Sequence, residues 1–161
     1  MLIAVMSDSH DHVENVRNIA RVAAHSGCCA LIHLGDITGP AAVGGLNDFP
    51  GSIQGIFGNC DHRREDLRMA FQAVGGRIDP GPLELTLGDR LLLIMHEPVA
   101  IASLAAKGNC DVIMHGHTHS PLISREKGAL ILNPGECGGW SASPTFAILD
   151  TADLSVHHVP I

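Results

Sequence analysis

Residues 1–10 read MLIAVMSDSH, and the same grammar returns at residues 30–36, ALIHLGD, and at residues 53–59, IQGIFGN. In each, an apolar run of strand length ends on a small residue and a group able to bind a cation. Between the first two runs, Asn15 to Ala24 carries apolar residues at helical spacing, so the chain reads strand Leu2 to Met6, helix, strand Ala30 to Leu34. A Gly/Pro-punctuated segment from Gly39 to Gly51 holds a short helix, Ile53 to Phe57 is a third strand, and Arg63 to Val74 is helical again. The first half is therefore built from helical crossovers.

The second half turns to hairpins. Leu83 to Leu87 and Leu91 to Met95 flank Gly88-Asp89-Arg90, and Leu122 to Ser124 and Ala129 to Leu132 flank a turn at Lys127-Gly128. A helix from Val99 to Lys107 and a strand from Asp111 to Met114 lie between them, and Thr145 to Leu149 with Leu154 to Val159 close the chain as strands. Crossovers early and hairpins late predict two mixed sheets packed face to face with helices outside, because each sheet must cover its apolar face. The expected fold is a four-layer αββα sandwich, formed as a single domain over residues 1–161.

Bulk properties narrow the function. Apolar residues make up 45% and charged residues 17%, which suits a globular chain and excludes a disordered one. The net charge of −7 is spread out, no Lys/Arg block tracks a polynucleotide backbone, and one Trp with no Tyr supplies no stacking platform. Long nucleic acids are therefore not expected as substrates. The five Cys follow no disulfide or zinc-knuckle spacing, the opening run Met1 to Met6 carries no basic residue and is too short for a signal segment, and no apolar stretch reaches membrane-spanning length. A cytoplasmic protein is expected, with sheet edges that leave room for a homodimer.

The chemistry lies at the strand ends. Asp8 and His10, Gly35-Asp36, Gly58-Asn59, His96, and Gly116-His117-Thr118-His119 each follow an apolar strand. In open α/β sheets ligands gather at the carboxyl ends of strands, so these groups are expected on one rim. Two carboxylates, an amide oxygen and four imidazoles form a mixed oxygen and nitrogen set suited to Mn, Fe, Zn, Co or Ni. Seven side chains exceed one tetrahedral site, but two adjacent sites use them if one carboxylate bridges, and Asp36 is the natural bridge.

The ordered set SDSH, LGD, GNCD, MH and GHTH resembles that of the calcineurin-like metallophosphoesterases, over nearly the whole chain. Within that family it is similar to the small archaeal and bacterial phosphodiesterases, with their SDSHDH opening and LNPGE at Leu132 to Glu136. The resemblance implies that Asp8, His10, Asp36 and His119 hold one divalent metal, with Mn foremost, and that Asp36, Asn59, His96 and His117 hold a second. It further implies hydrolysis of a small phosphate ester, most readily a phosphodiester, by a metal-bridging hydroxide. A phosphomonoesterase or nuclease fits the same residues. A non-catalytic scaffold of the same fold, like the retromer subunit, is the alternative outside enzymes, and it has no chemical need for a complete ligand set.

Two positions depart from the family pattern. Many of these phosphatases carry a proton-donating His directly after the Asn ligand, where this chain has Cys60. Asp61, His62 and His12 are the candidates to replace it, and Asp61 and His12 join Asp36 and Asn59 as expected catalytic residues. Glu97 stands where the family usually has Gly beside the ligand His96. Of the other imidazoles, His33 and His25 read as packing or solvated residues, His157 and His158 as surface residues, and His115 as a loop or supporting residue. Cys137 reads as a structural thiol.

Overall fold

The computed structural model describes residues 1–161. β1 (Leu2–Met6), α1 (Val13–His25), β2 (Ala30–His33), α2 (Pro40–Gly44), β3 (Ser52–Ile56), α3 (Arg64–Ala73) and β4 (Arg77–Asp79) form the crossover half. Their four strands run parallel in the order β1-β2-β3-β4. The C-terminal pair, β10 (Thr145–Asp150) and β11 (Ser155–Pro160), completes this sheet antiparallel on the free edge of β1. The second sheet takes β5 (Leu83–Leu87), β6 (Arg90–Ile94), β7 (Val112–Met114), β8 (Leu122–Glu126) and β9 (Ala129–Asn133) in the order β5-β6-β7-β9-β8. Its pairs β6-β7 and β7-β9 are parallel and its edges antiparallel, so both sheets are mixed.

The strand period explains the layers. Along β1, Ile3 and Val5 face the second sheet, where they meet Leu92, Ile94, Val112, Met114, Leu130 and Leu132. Ala4 and Met6 face the other way, onto Val16, Ile19 and Ala20 of α1 and Leu67 and Phe71 of α3. Both faces of β1 are thus covered, which is why its sequence reads as an unbroken apolar run. The fourth layer is thin: only α4 (Ile101–Ala106) packs on the outer face of the second sheet, over Leu93, Ile113 and Ile131.

The structure departs from the sequence reading in three places. β4 was not expected, because Ile78 between Arg77 and Asp79 shows no periodicity; it forms by pairing with β3. Helix α4 is shorter than the run from Val99 to Lys107, since Ala100 takes a left-handed φ of 56° and helical residues begin after it. In the first hairpin the turn is Gly88-Asp89 alone, both at positive φ, which matches the right-handed strand twist. Arg90 belongs to β6, and its Nε donates to the Thr151 carbonyl at 2.9 Å, tying the hairpin to the turn between β10 and β11.

The carboxyl ends of β1, β2 and β3 in one sheet and β6, β7 and β9 in the other meet at one rim. Backbone bonds stitch the two sets together: the Cys137 amide donates to the Ser7 carbonyl at 2.9 Å and the Gly138 amide to the Asp8 carbonyl at 3.0 Å.

Candidate metal centre

Five of the seven expected ligands, Asp8, His10, Asp36, His117 and His119, have positive φ between 42° and 66°. Non-glycine residues adopt that region at a cost of order 1–3 kcal/mol and cluster in it at functional sites. Here each chain segment leaves its strand and turns back at once, so consecutive ligands point into one space. Close approach of neighbouring loops demands glycine at two points. A Cβ on Gly58 would lie 2.2 Å from Asp36 Oδ1, and one on Gly116 would lie 2.0 Å from Ser7 Oγ and 2.8 Å from Asp8 Oδ2.

The donor atoms converge in two overlapping groups. Asn59 Oδ1 has His96 Nε2 at 2.8 Å and His117 Nδ1 at 3.0 Å, and His96 Nε2 lies 3.4 Å from Asp36 Oδ1. On the other side, His119 Nε2 lies 3.4 Å from Asp8 Oδ1, and donor atoms of Asp8, His10 and His119 lie within 4.8 Å of one another. His96 Nδ1 donates to the Leu34 carbonyl at 2.8 Å, which fixes the proton there and turns the lone pair of Nε2 toward Asn59. Oxygen and nitrogen lone pairs aimed at common points are what a cation accepts and what protein alone leaves mutually repulsive. The buried Asp8 Oδ1 has no hydrogen-bond partner, which is the same signature of a cation position. The residues present therefore fit divalent metal binding.

Electrostatics follow from burial and these contacts. Asp8 is fully buried, and desolvation raises its carboxyl above the ordinary value despite the hydrogen bond from the His117 amide at 3.1 Å and the nearby His96 and His119. Burial pushes Asp36 the same way, but the His96 ring 3.4 Å away and a hydrogen bond from the Cys60 amide at 2.8 Å hold it well below the usual carboxylate range. Desolvation followed by the neighbouring Asp36 pushes the Cys60 thiol up to about 11, so it remains protonated at neutral pH.

Asp61 lies behind the ligands. Only 2% exposed, its Oδ1 accepts the amides of Ile37 at 2.8 Å and Thr38 at 2.7 Å, and its Oδ2 those of Asp36 at 3.0 Å and Gly58 at 2.7 Å. All acceptor directions point at backbone. His12 is exposed at the mouth of α1, where its Nδ1 accepts the Asn15 amide at 3.3 Å as the helix N-cap.

The remaining imidazoles separate from the cluster. His33 is buried, accepts the Gly35 amide at Nδ1 and donates from Nε2 to Ser9 Oγ at 2.9 Å; desolvation lowers its pKa to about 3. His25 contacts the Arg21 carbonyl, His157 is exposed, and His158 is half-buried rather than on the surface, with Nε2 donating to the Asn133 carbonyl at 2.8 Å. Burial pushes the Cys137 thiol far up, in keeping with a structural thiol.

Two supporting residues were not singled out from the sequence. Asn133 holds the GHTH loop, its Nδ2 donating to the Gly116 carbonyl at 3.1 Å and Thr118 Oγ1 at 2.9 Å. Glu136, fully buried, lies with Oε2 2.5 Å from His119 Nδ1. Both belong to the LNPGE segment, which was the one available signal.

Beside Asn59 and His96 opens a recess of about 440 Å³, walled by Phe57, Pro82, Met95 and Val99 with Arg64 and Glu97 among its lining residues. The Arg64 guanidinium sits 5.0 Å from the centre of the Phe57 ring.

A two-sheet sandwich with imidazole and carboxylate donors on one rim fits the class of metal-dependent hydrolases. The chain belongs to the calcineurin-like phosphoesterase superfamily, whose domain it matches over residues 1–154, and it is a hydrolase of phosphoric esters. It is 30% identical over 155 residues to phosphodiesterase MJ0936 of Methanocaldococcus jannaschii, covering 94% of this chain and 93% of that one. The solved structure of an archaeal phosphodiesterase superposes with a TM-score of 0.93 at 26% identity, each chain covered in full. Vps29 of Chaetomium thermophilum shares the fold at 17% identity, with a TM-score of 0.71 over 99% of this chain and 93% of that one. No helix is long and apolar enough to cross a membrane.

Proposed function

We propose that this protein hydrolyses small phosphodiesters with two divalent metal ions, Mn2+ foremost. Asp8, His10, Asp36 and His119 would hold one and Asp36, Asn59, His96 and His117 the other. The observation that carries this reading is the convergence of His96 and His117 nitrogens on Asn59 Oδ1 beside Asp36, next to a second cluster around the unpartnered Asp8 Oδ1. When bound, the ions supply Lewis acidity and an ionised water for in-line attack on phosphorus. Against their four positive charges, Asp8 and Asp36 return two negatives, leaving a cationic floor in an acidic protein.

The chain's own part is positioning. The Leu34 carbonyl fixes the tautomer of His96, and the Cys60 amide orients Asp36. Asp61 clamps the Asp36 and Asn59 loops together through its four amide contacts, and we assign it this task in place of proton donation. One ester arm would lie in the 440 Å³ recess against Phe57 and Met95, with Arg64, which no carboxylate pairs, facing anionic groups on it. A recess of that size suits one arm of a small ester.

The test is calorimetric titration of metal-free protein with Mn2+, paired with hydrolysis of bis(4-nitrophenyl) phosphate. Two ions per chain and loss of turnover on chelation are expected; full turnover by demonstrably metal-free protein would overturn the reading.

A further inference from the structure

His119 has two flanks. Its Nε2 faces Asp8 Oδ1 at 3.4 Å, inside the candidate centre, while its Nδ1 faces away, 2.5 Å from Glu136 Oε2 and 3.2 Å from Ser141 Oγ. The Glu136 side chain is entirely shielded from water. Its other oxygen, Oε1, accepts the Ser141 amide at 2.5 Å and the Ala142 amide at 2.6 Å, and its carbonyl accepts the Thr145 amide at 2.9 Å. Backbone and one carboxylate oxygen are therefore fixed, which leaves Oε2 trained on the imidazole.

Oε2 has no aligned hydrogen-bond donor, although it is buried. No Lys or Arg pairs with Glu136; His119 is its one salt-bridge partner. A buried carboxylate so placed is poorly compensated unless the imidazole next to it gains positive character. Ligation at Nε2 does this, because it keeps the proton on Nδ1 and draws electron density through the ring.

We propose that Glu136 is a positioning residue for the metal held by Asp8, His10, Asp36 and His119: its carboxylate fixes the Nδ1–H tautomer of His119 and strengthens Nε2 as a ligand. The proposal rests on the two-metal reading above. Its second consequence concerns the loop: Glu136 grips Ser141 and Ala142 with one oxygen and His119 with the other, so it joins this ligand to the rim segment that carries the exposed Trp140.

The experiment compares wild type, Glu136→Gln, Glu136→Asp and His119→Ala by Mn2+ titration calorimetry and by melting of the metal-free and metal-loaded forms. Glu136→Gln keeps an oxygen for the two amides and replaces the charged acceptor opposite Nδ1 with an uncharged NH2 donor. It should weaken one of the two sites by about 10–100-fold, the usual effect of removing such a partner, while the metal-free protein melts no lower than wild type. Glu136→Asp, which retains the charge, should recover part of that affinity. A merely structural Glu136 would instead lower the metal-free melting temperature and leave both affinities in place. Wild-type affinity at both sites in Glu136→Gln, with one site lost in His119→Ala, overturns the proposal and leaves the two-metal reading standing. Failure of wild type to take up two ions overturns both.

Discussion

Replacing Asp61 separates two roles that its position after Cys60 allows. A proton donor must reach the leaving oxygen, whereas a clamp must reach backbone, and the four contacts of 2.7–3.0 Å to the amides of Asp36, Ile37, Thr38 and Gly58 are all backbone. Hydrogen bonds to a charged acceptor contribute about 1.5–3 kcal/mol each. Asp61→Asn keeps one oxygen, and its amide group faces two N–H donors whichever way it turns, so two bonds are lost and two buried donors are orphaned. Single substitutions seldom exceed about 5 kcal/mol even in such networks, so a loss of about 3–5 kcal/mol is expected. Unfolding entropy of about 2.1 cal/mol/K per residue converts this to a fall in Tm of about 9–15 °C for a chain of this length. Differential scanning calorimetry of metal-free wild type and variant measures it, with 4-nitrophenyl and alkyl phosphodiesters as the parallel rate assay. A variant that melts within about 2 °C of wild type while losing only turnover of poor leaving groups would refute the clamp and restore Asp61 as the acid.

Chelation should abolish hydrolysis and Mn2+ or a similar transition ion restore it, as read by turnover of metal-stripped and reconstituted protein. Asp36→Asn should be the most damaging ligand change, because it removes a charge shared by both ions; calorimetry that still finds two tightly held metals would contradict the bridge. Wild-type rates should rise steeply with leaving-group acidity, and Cys60→His should speed alkyl diesters, by up to the hundred- to ten-thousand-fold typical of a positioned acid, roughly speaking, while aryl diesters change little. A flat dependence with chemistry rate-limiting would point to His12 or His62 as the donor. Burial holds His33 near pKa 3 against about 6.5 unfolded, so the stability it contributes is complete above pH 6.5 and lost as pH falls toward 3. At pH 5 the loss is about 2 kcal/mol, and urea melts of His33→Gln against wild type at pH 7 and 5 should show a flatter slope for the variant.

How much of this was legible from the chain depends on where each residue's information resides. The candidate ligands could be gathered from the sequence because each sits just after an apolar strand, and parallel strands end on one rim. The layer order follows a related pattern: β1 is apolar throughout, and β2 and β9 are apolar up to their last residues, His33 and Asn133, which requires cover on both faces. β4 was not readable, because a three-residue strand owes its existence to the neighbour it pairs with and not to its own side chains.

The supporting residues were hidden for a deeper reason. Asp61 beside a metal ligand has the same sequence signature whether it donates a proton or receives four amides, and only the path of the loop at residues 36–38 distinguishes the two. Glu136 and Asn133 lie in one short segment yet act on the GHTH loop, 15–17 residues earlier, through contacts that depend on β7 and β9 lying side by side. The sequence motif therefore marks where cation-binding groups can lie, while the placement of those groups is set by contacts between loops of different strands. It follows that a conservative change at Asp61 should show first in stability, and one at Glu136 first in metal affinity, although neither residue is among the expected ligands.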